Sequence, residues 1–164
     1  KVDRLILIAS STGYWKDMSS PFKWLMPPLW FLLIPINIVI YGYANAKKIG
    51  QGENLPKGVA LQWRKWCINP NYFDDHFKNS NTKLFYDKFL IPIKSIQIDD
   101  DPIANKITAN KLVNYYKNAK IEIENITPPK MGVKKIGHTG FFSRKFFKRY
   151  FSFFFSIKSS SILG

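Results

Sequence analysis

Three consecutive carboxylates, Asp99, Asp100 and Asp101, stand 37 to 39 positions ahead of a histidine at 138. A carboxylate can orient an imidazole through its Nδ1, fix the tautomer and stabilise the imidazolium that forms when the other ring nitrogen takes a proton in general-base catalysis. That chemistry requires both groups to reach one rim of the molecule. The flanking sequence predicts this. Ile91, Ile93, Ile96 and Ile98 give the segment Phe89 to Ile98 a strand-like pattern that runs straight into the Asp cluster, with Pro92 tolerable near the strand start. Lys120 to Ile126 alternates Ile with Glu, predicting a second strand near a sheet edge with one face buried and the other wet. Pro128-Pro129 and Gly132 then lead to Ile136-Gly137-His138-Thr139-Gly140. Parallel strands that enter from one side also end on one side, so acid and histidine converge at the carboxyl rim, where open α/β sheets carry their sites. Gly137 and Gly140 let the loop turn tightly with the ring pointing outward. The bland alternative is a solvated, capped turn and a structural histidine.

The elements that must position these groups follow from periodicity. Ala109, Leu112, Val113 and Tyr116 form one helical stripe that predicts a helix ending near Asn118. Val2 to Ala9 is almost continuously apolar and β-branched, which predicts a strand buried on both faces and closed by the loop Ser10-Ser11-Thr12-Gly13. Ser10 and Ser11 are expected to act as loop caps. A chain whose first residues already form a central strand reads as a piece of something longer. From Gly13 to about Asn81 the sequence is aromatic, irregular and rich in proline. Within it, Trp24 to Tyr43 is 20 residues without a charge, flanked by Lys23 and Lys47-Lys48. Its length matches a bilayer span, but Pro27, Pro28, Pro35 and Asn37 argue instead for short amphipathic helices folded over something apolar. Val59, Trp63, Trp66 and Cys67 mark one face of a further short helix. Last, Phe142, Phe146, Phe147, Tyr150, Phe151 and Phe154 share a helical face opposite Arg144, Lys145, Lys148 and Arg149. The rhythm predicts an α/β fold with a mostly parallel sheet.

Composition sets limits on this reading. The chain has 164 residues, 46% of them apolar, and 25 Lys plus Arg against 11 Asp plus Glu, for a net charge of +14. It is too apolar for intrinsic disorder and long enough for one core. Fourteen Phe supply large side chains for it. One cysteine, Cys67, forms no internal disulfide, and with only His76 and His138 beside it no metal set or cofactor is expected. His76, in Asp74-Asp75-His76, reads as a surface residue, and the chain is expected in the cytoplasm. Of the cations 21 are Lys and 4 Arg, and eight fall after position 129 with no acidic residue among them. Nucleic-acid readers lean on Arg, so the basic balance alone carries little weight, although a basic aromatic protein contacting RNA or anionic membrane is the second reading. A protein anchored in a membrane by 24–43 is the third.

The order strand, Asp, helix, strand, His, helix, with Ile98-Asp99-Asp100-Asp101-Pro102-Ile103-Ala104 and Lys135-Ile136-Gly137-His138-Thr139-Gly140-Phe141-Phe142, resembles the C-terminal half of the α/β-hydrolase superfamily. It is most similar to bacterial hydrolases related to serine aminopeptidases, and the resemblance runs from about Val2 to about Tyr150. It implies a partial α/β-hydrolase fold, with a core made of 1–16 and 82–155, a lid or cap insertion at 17–81 and a low-complexity tail at 156–164. It places the family's acid on Asp101, with Asp100 as the alternative and Asp99 as a cap, its histidine on His138, and Phe141 and Phe142 beneath the histidine loop. It implies a substrate with an ester, thioester or amide bond, held in an apolar acyl pocket under the lid. One departure decides the mechanism. No Gly-x-Ser-x-Gly nucleophile elbow occurs in the 164 residues. The chain alone is therefore expected to be inactive, either the C-terminal part of a hydrolase whose N-terminal part lies on a separate chain or outside the given sequence, or the remnant of a split reading frame. In both cases a hydrophobic strand edge is left bare and solubility should be poor.

Overall fold

The computed structural model describes residues 2–49, 52–78, 82–144, 146, 148 and 150. The expected tail at 156–164, and Lys145, Phe147, Arg149, Phe151 and Phe154 of the expected terminal helix, lie outside the described residues. Three strands, β1 (Leu5–Ile8), β4 (Ile93–Ile98) and β5 (Ile121–Ile126), form a parallel sheet in the order β1-β4-β5. Two short strands, β2 (Tyr43–Ala44) and β3 (Leu55–Pro56), pair antiparallel some distance along the chain. The sheet is parallel throughout and flanked by helices, as the sequence predicts for an α/β fold.

β4 is the central strand, and all six of its residues are buried. It begins after Pro92, whose missing N–H has no place in a ladder that bonds on both sides. β1, by contrast, occupies an edge. Ile6 is 53% exposed, so the expectation of a strand buried on both faces is corrected: the face that carries Ile6 is open, and one side of the ladder has no neighbour among the described strands. β5 is the opposite edge, as predicted, but its faces are not simply Ile in and Glu out. Register pairs Lys94 with Glu122 and Ile96 with Glu124, so these four share one face. The Lys94 ammonium lies 3.0 Å from Glu122 and 2.7 Å from Glu124, and this buried cation draws Glu124 partly inward while Ile123 stays exposed on the other face. Glu124 also accepts a hydrogen bond from the Tyr150 hydroxyl.

The helix between β4 and β5, α5 (Lys106–Val113), is capped by Asn105, whose Oδ1 accepts from the backbone N–H groups of Ile107 and Thr108. It buries Ala109 and Val113 as the stripe predicts, but stops at Val113 rather than near Asn118. On the other face of the sheet, Ile96, Ile98 and Ile126 pack with Met131, Ile136, Phe141, Phe146 and Tyr150 in one core cluster. Phe146 and Tyr150 thus spend the aromatic face of the terminal segment on the sheet. Phe142, expected to pack beneath the histidine loop, is 60% exposed.

Residues between β1 and β4 build a second cluster around Trp30. Phe22–Tyr41 is a single helical run, not several short helices. It contains a one-turn α1 (Met26–Pro28), a π-helical turn at Leu29–Leu33 and α2 (Ile34–Tyr41). The change of pitch absorbs the prolines. In the π turn the Ile34 N–H reaches the Leu29 carbonyl; the next such donor, to the Trp30 carbonyl, would be residue 35, which is proline. The Arg64 Nε donates to that carbonyl instead. Arg64 comes from α3 (Lys57–Cys67), which buries Ala60 and Cys67 and leaves Val59 50% exposed, so its inner face is rotated from the one expected. A short α4 (Asp74–Lys78) follows; its His76 side chain lies outside the described residues.

Candidate active site

β4 delivers the Asp run to the carboxyl rim of the sheet, and its three members take different tasks. Asp101 is 1% exposed. Its Oδ1 accepts from the Ile103 and Ala104 backbone N–H groups at 2.8 and 2.9 Å, closing the turn after the strand, and its Oδ2 lies 2.8 Å from His138 Nδ1. Three hydrogen-bonding partners hold one carboxylate, so its direction is fixed before anything binds. Asp100 does not touch the imidazole. Its two oxygens accept from the backbone N–H groups of Ile136 and Gly137 at 2.8 and 3.0 Å, a clamp on the loop that carries the histidine. Asp99 is exposed, and the cap expected of it is supplied by Asp101.

His138 stands in a one-turn helix, α6 (Gly137–Gly140), reached from β5 across Pro129–Met131. Gly137 has φ +64, a conformation that disfavours any Cβ, and this bend lets the Ile136 and Gly137 amides face Asp100 while the ring turns to Asp101. Gly140 is ordinary helix and not a second bend. Phe141, 1% exposed, packs below the loop against Phe146 and Tyr150. With Nδ1 engaged by Asp101, Nε2 is left to exchange a proton with whatever group approaches.

A group can approach through an adjoining cavity. Its volume is about 260 Å³, and His138, Ser11, Met26, Trp30, Tyr72 and Ile103 are among its walls. It lies between the strand ends and the helical insertion. Ala9, at the end of β1, has φ +46 and turns the chain so that Ser11 faces this space; Ser10 alone caps, donating to the Ile8 carbonyl at 3.1 Å. Gly13 admits the Tyr72 ring, since a Cβ there would lie 2.8 Å from Tyr72 Cε2 and 3.0 Å from Cys67 Sγ. Burial pushes the Cys67 thiol and the Tyr72 phenol each up to about 12, so both are neutral at physiological pH and the wall bears no charge from them. Trp30, whose ring also forms part of this wall, has its Nε1 buried without an acceptor among the described residues.

Residues 12–19 are tied to the rim by the stretch that follows Asp101. Asn105 Nδ2 donates to the Asp17 carbonyl at 2.7 Å, the Ser19 N–H donates to the Pro102 carbonyl, and the Thr12 N–H donates to the Thr108 carbonyl. A larger open groove of about 420 Å³ lies farther out, among Leu29, Leu33, Ile34, Leu55, Val59 and Trp63. Leu29 and Trp63 border both spaces. Apart from His138, none of these wall residues was marked by the sequence as lining a cavity; only the aromatic density of 13–81 pointed to a lining. Among the described residues no group of His, Cys, Asp and Glu suits a metal ion.

The geometry defines a class only at the level of fold and pair: a parallel α/β sheet whose carboxyl rim bears a buried Asp101 carboxylate paired with the half-buried His138. Neither a family model, nor a curated protein, nor a solved structure matches the chain.

Proposed function

We propose that this chain is the C-terminal part of an α/β-hydrolase, supplying the acid, Asp101, and the general base, His138, to a serine that lies outside these 164 residues. The observation that carries the reading is the 2.8 Å contact between His138 Nδ1 and the buried Asp101 carboxylate, made at the strand ends beside a cavity with mostly apolar walls. Asp101 keeps Nδ1–H pointed inward; His138 Nε2 takes the proton of the incoming hydroxyl and returns it to the leaving group. The substrate is an ester, thioester or amide whose acyl portion enters the cavity beneath residues 17–81. The missing strand, with its Gly-x-Ser-x-Gly turn, adds to the free edge of β1. Asp101 rather than Asp100 is the acid, because Asp100 has both oxygens on backbone amides.

The test is reconstitution with the polypeptide encoded immediately upstream. The two together should hydrolyse p-nitrophenyl butyrate, and Asp101→Asn should lower that rate by about 10³- to 10⁴-fold by inverting the donor offered to Nδ1. The chain alone lacks a nucleophile, a deficit worth about 10⁶-fold, and should neither turn over ester nor react with a fluorophosphonate probe. Turnover by this chain alone, or reconstituted turnover indifferent to both His138→Ala and Asp101→Asn, overturns the proposal.

A further inference from the structure

The helical run Phe22–Tyr41 is apolar on both sides, and only one side is used. Met26, Trp30, Ile34 and Ile38, four residues apart, form the buried stripe that packs on Ala44, Ala60 and Cys67. The opposite face carries Trp24, Leu25, Phe31, Leu32, Ile36, Val39 and Ile40, each more than 40% exposed, and Val39 is 86% exposed. A helix apolar all round belongs in a core or in lipid, and water-facing patches of this kind mark an interaction surface. This face turns away from the strand ends, because the buried stripe supplies Met26 and Trp30 to the cavity beside His138. A strand added at β1 therefore leaves it uncovered.

The surroundings of the face say what covers it. Lys23 Nζ lies 5.4 Å from the Trp24 ring centre at one end, Lys48 Nζ lies 5.8 Å from the Tyr41 ring at the other, and the Arg64 guanidinium lies 5.5 Å from the Phe31 ring between them. Aromatic rings with cations beside them suit the boundary between acyl chains and headgroups, where the ring sits in the interface and the cation reaches the phosphate. Between residues 17 and 81 there are seven Lys or Arg and four acidic residues; Asp17 is engaged by Lys111, Glu53 by Lys47, and Asp75 accepts from the Asn69 and Asn71 side chains. The net charge of this insertion thus complements an anionic surface, and the run lies along the protein, its α2 part packed on α3 and β2 and its buried stripe joined to the Trp30 cluster, rather than standing clear of it.

We propose that the outer face of Phe22–Tyr41 docks in the plane of an anionic lipid surface, with Lys23, Lys48 and Arg64 on the headgroups. Docking does not depend on the hydrolase assignment: it places the mouth of the Leu29–Leu33 groove at the lipid boundary whatever chemistry follows.

The experiment mixes the full chain with vesicles of phosphatidylglycerol and phosphatidylcholine, or of phosphatidylcholine alone, and measures sedimentation and the tryptophan emission maximum. The expected result is binding to the anionic vesicles with a blue shift, weakened at 0.5 M salt and released by carbonate. Leu32→Asp/Val39→Asp should weaken partition by at least about ten-fold, whereas Ile107→Asp, an exposed apolar position on α5, should leave it unchanged. Should the apolar variant fail to fold, Lys23→Glu/Lys48→Glu decides, since it keeps the apolar face and should abolish the preference for anionic lipid. The proposal is overturned by binding that both double variants retain, by retention through carbonate, which marks a spanning helix, or by a lipid-indifferent dimer that Leu32→Asp/Val39→Asp dissolves, which marks a second copy on this face. Reconstituted esterase activity reads the hydrolase assignment separately.

Discussion

Removing the Asp100 carboxylate should loosen the histidine loop without touching the imidazole. Its two oxygens are the acceptors for the Ile136 and Gly137 amides at 2.8 and 3.0 Å, and no other group among the described residues bonds those amides. Hydrogen bonds to a charged acceptor contribute about 1.5–3 kcal/mol each, and because Asp100 is only half-buried, water recovers part of that in Asp100→Ala. A net loss of about 2 kcal/mol in local opening converts to roughly 30-fold faster amide exchange at those two positions. Hydrogen–deuterium exchange read by mass spectrometry on peptides covering 133–142 measures it directly. Peptides from β4 act as the internal control, and Asp99→Ala, at an exposed carboxylate, should stay within about two-fold of the parent. Unchanged protection in Asp100→Ala, or an equal loss in Asp99→Ala, refutes the division of labour among the three carboxylates. A loosened loop should also lower reconstituted turnover while Asp101 remains intact, which separates a positioning residue from the acid itself.

Cys67, with its thiol pushed up to about 12 by burial, should resist iodoacetamide at pH 8 in the folded chain and react promptly once urea unfolds it; rapid native labelling would contradict its place in the core. Ile6→Lys puts a charge on the free edge strand at a 53%-exposed position and should raise the soluble fraction on expression, read by light scattering; no change would mean that β1 is not the edge that drives association. The hydrogen bond from Lys94, with its charge, holds the Glu122 carboxyl below its ordinary range. A depressed folded value contributes stability above the unfolded carboxylate pKa and loses it as pH falls through the folded value. Stability should therefore decline on acidification through that window, and Lys94→Met should flatten the decline; an identical acid profile in parent and variant would contradict the pairing.

How far the sequence carried this reading is best judged from single residues. The meeting of Asp101 and His138 was legible because one directly follows a strand pattern and the other lies in the loop after the next strand, and strand direction then fixes the rim they share. Their division from Asp100 was not, since three adjacent carboxylates differ only in which way the turn points them, and that depends on the amides of a loop 36 residues away. β5 was legible as an edge strand, but the burial of Glu124 depended on Lys94, a cross-strand neighbour that alternation along one strand cannot reveal. β1 was read as doubly buried from composition alone, which does not show how many strands flank it. The prolines of 22–41 argued for broken helices; the π turn and the reach of Arg64 from α3 removed that penalty through tertiary contact. The rotation of α3 has the same origin, because Val59 and Trp63 line an open groove rather than a core.

The nitrogen-15 spectrum of ring-labelled His138 bears most directly on the central claim. The expected result is the Nδ1–H tautomer, with a strongly deshielded ring proton that disappears in Asp101→Ala and persists in Asp100→Asn. A ring proton on Nε2, or a spectrum that Asp101→Ala leaves unaltered, would contradict it.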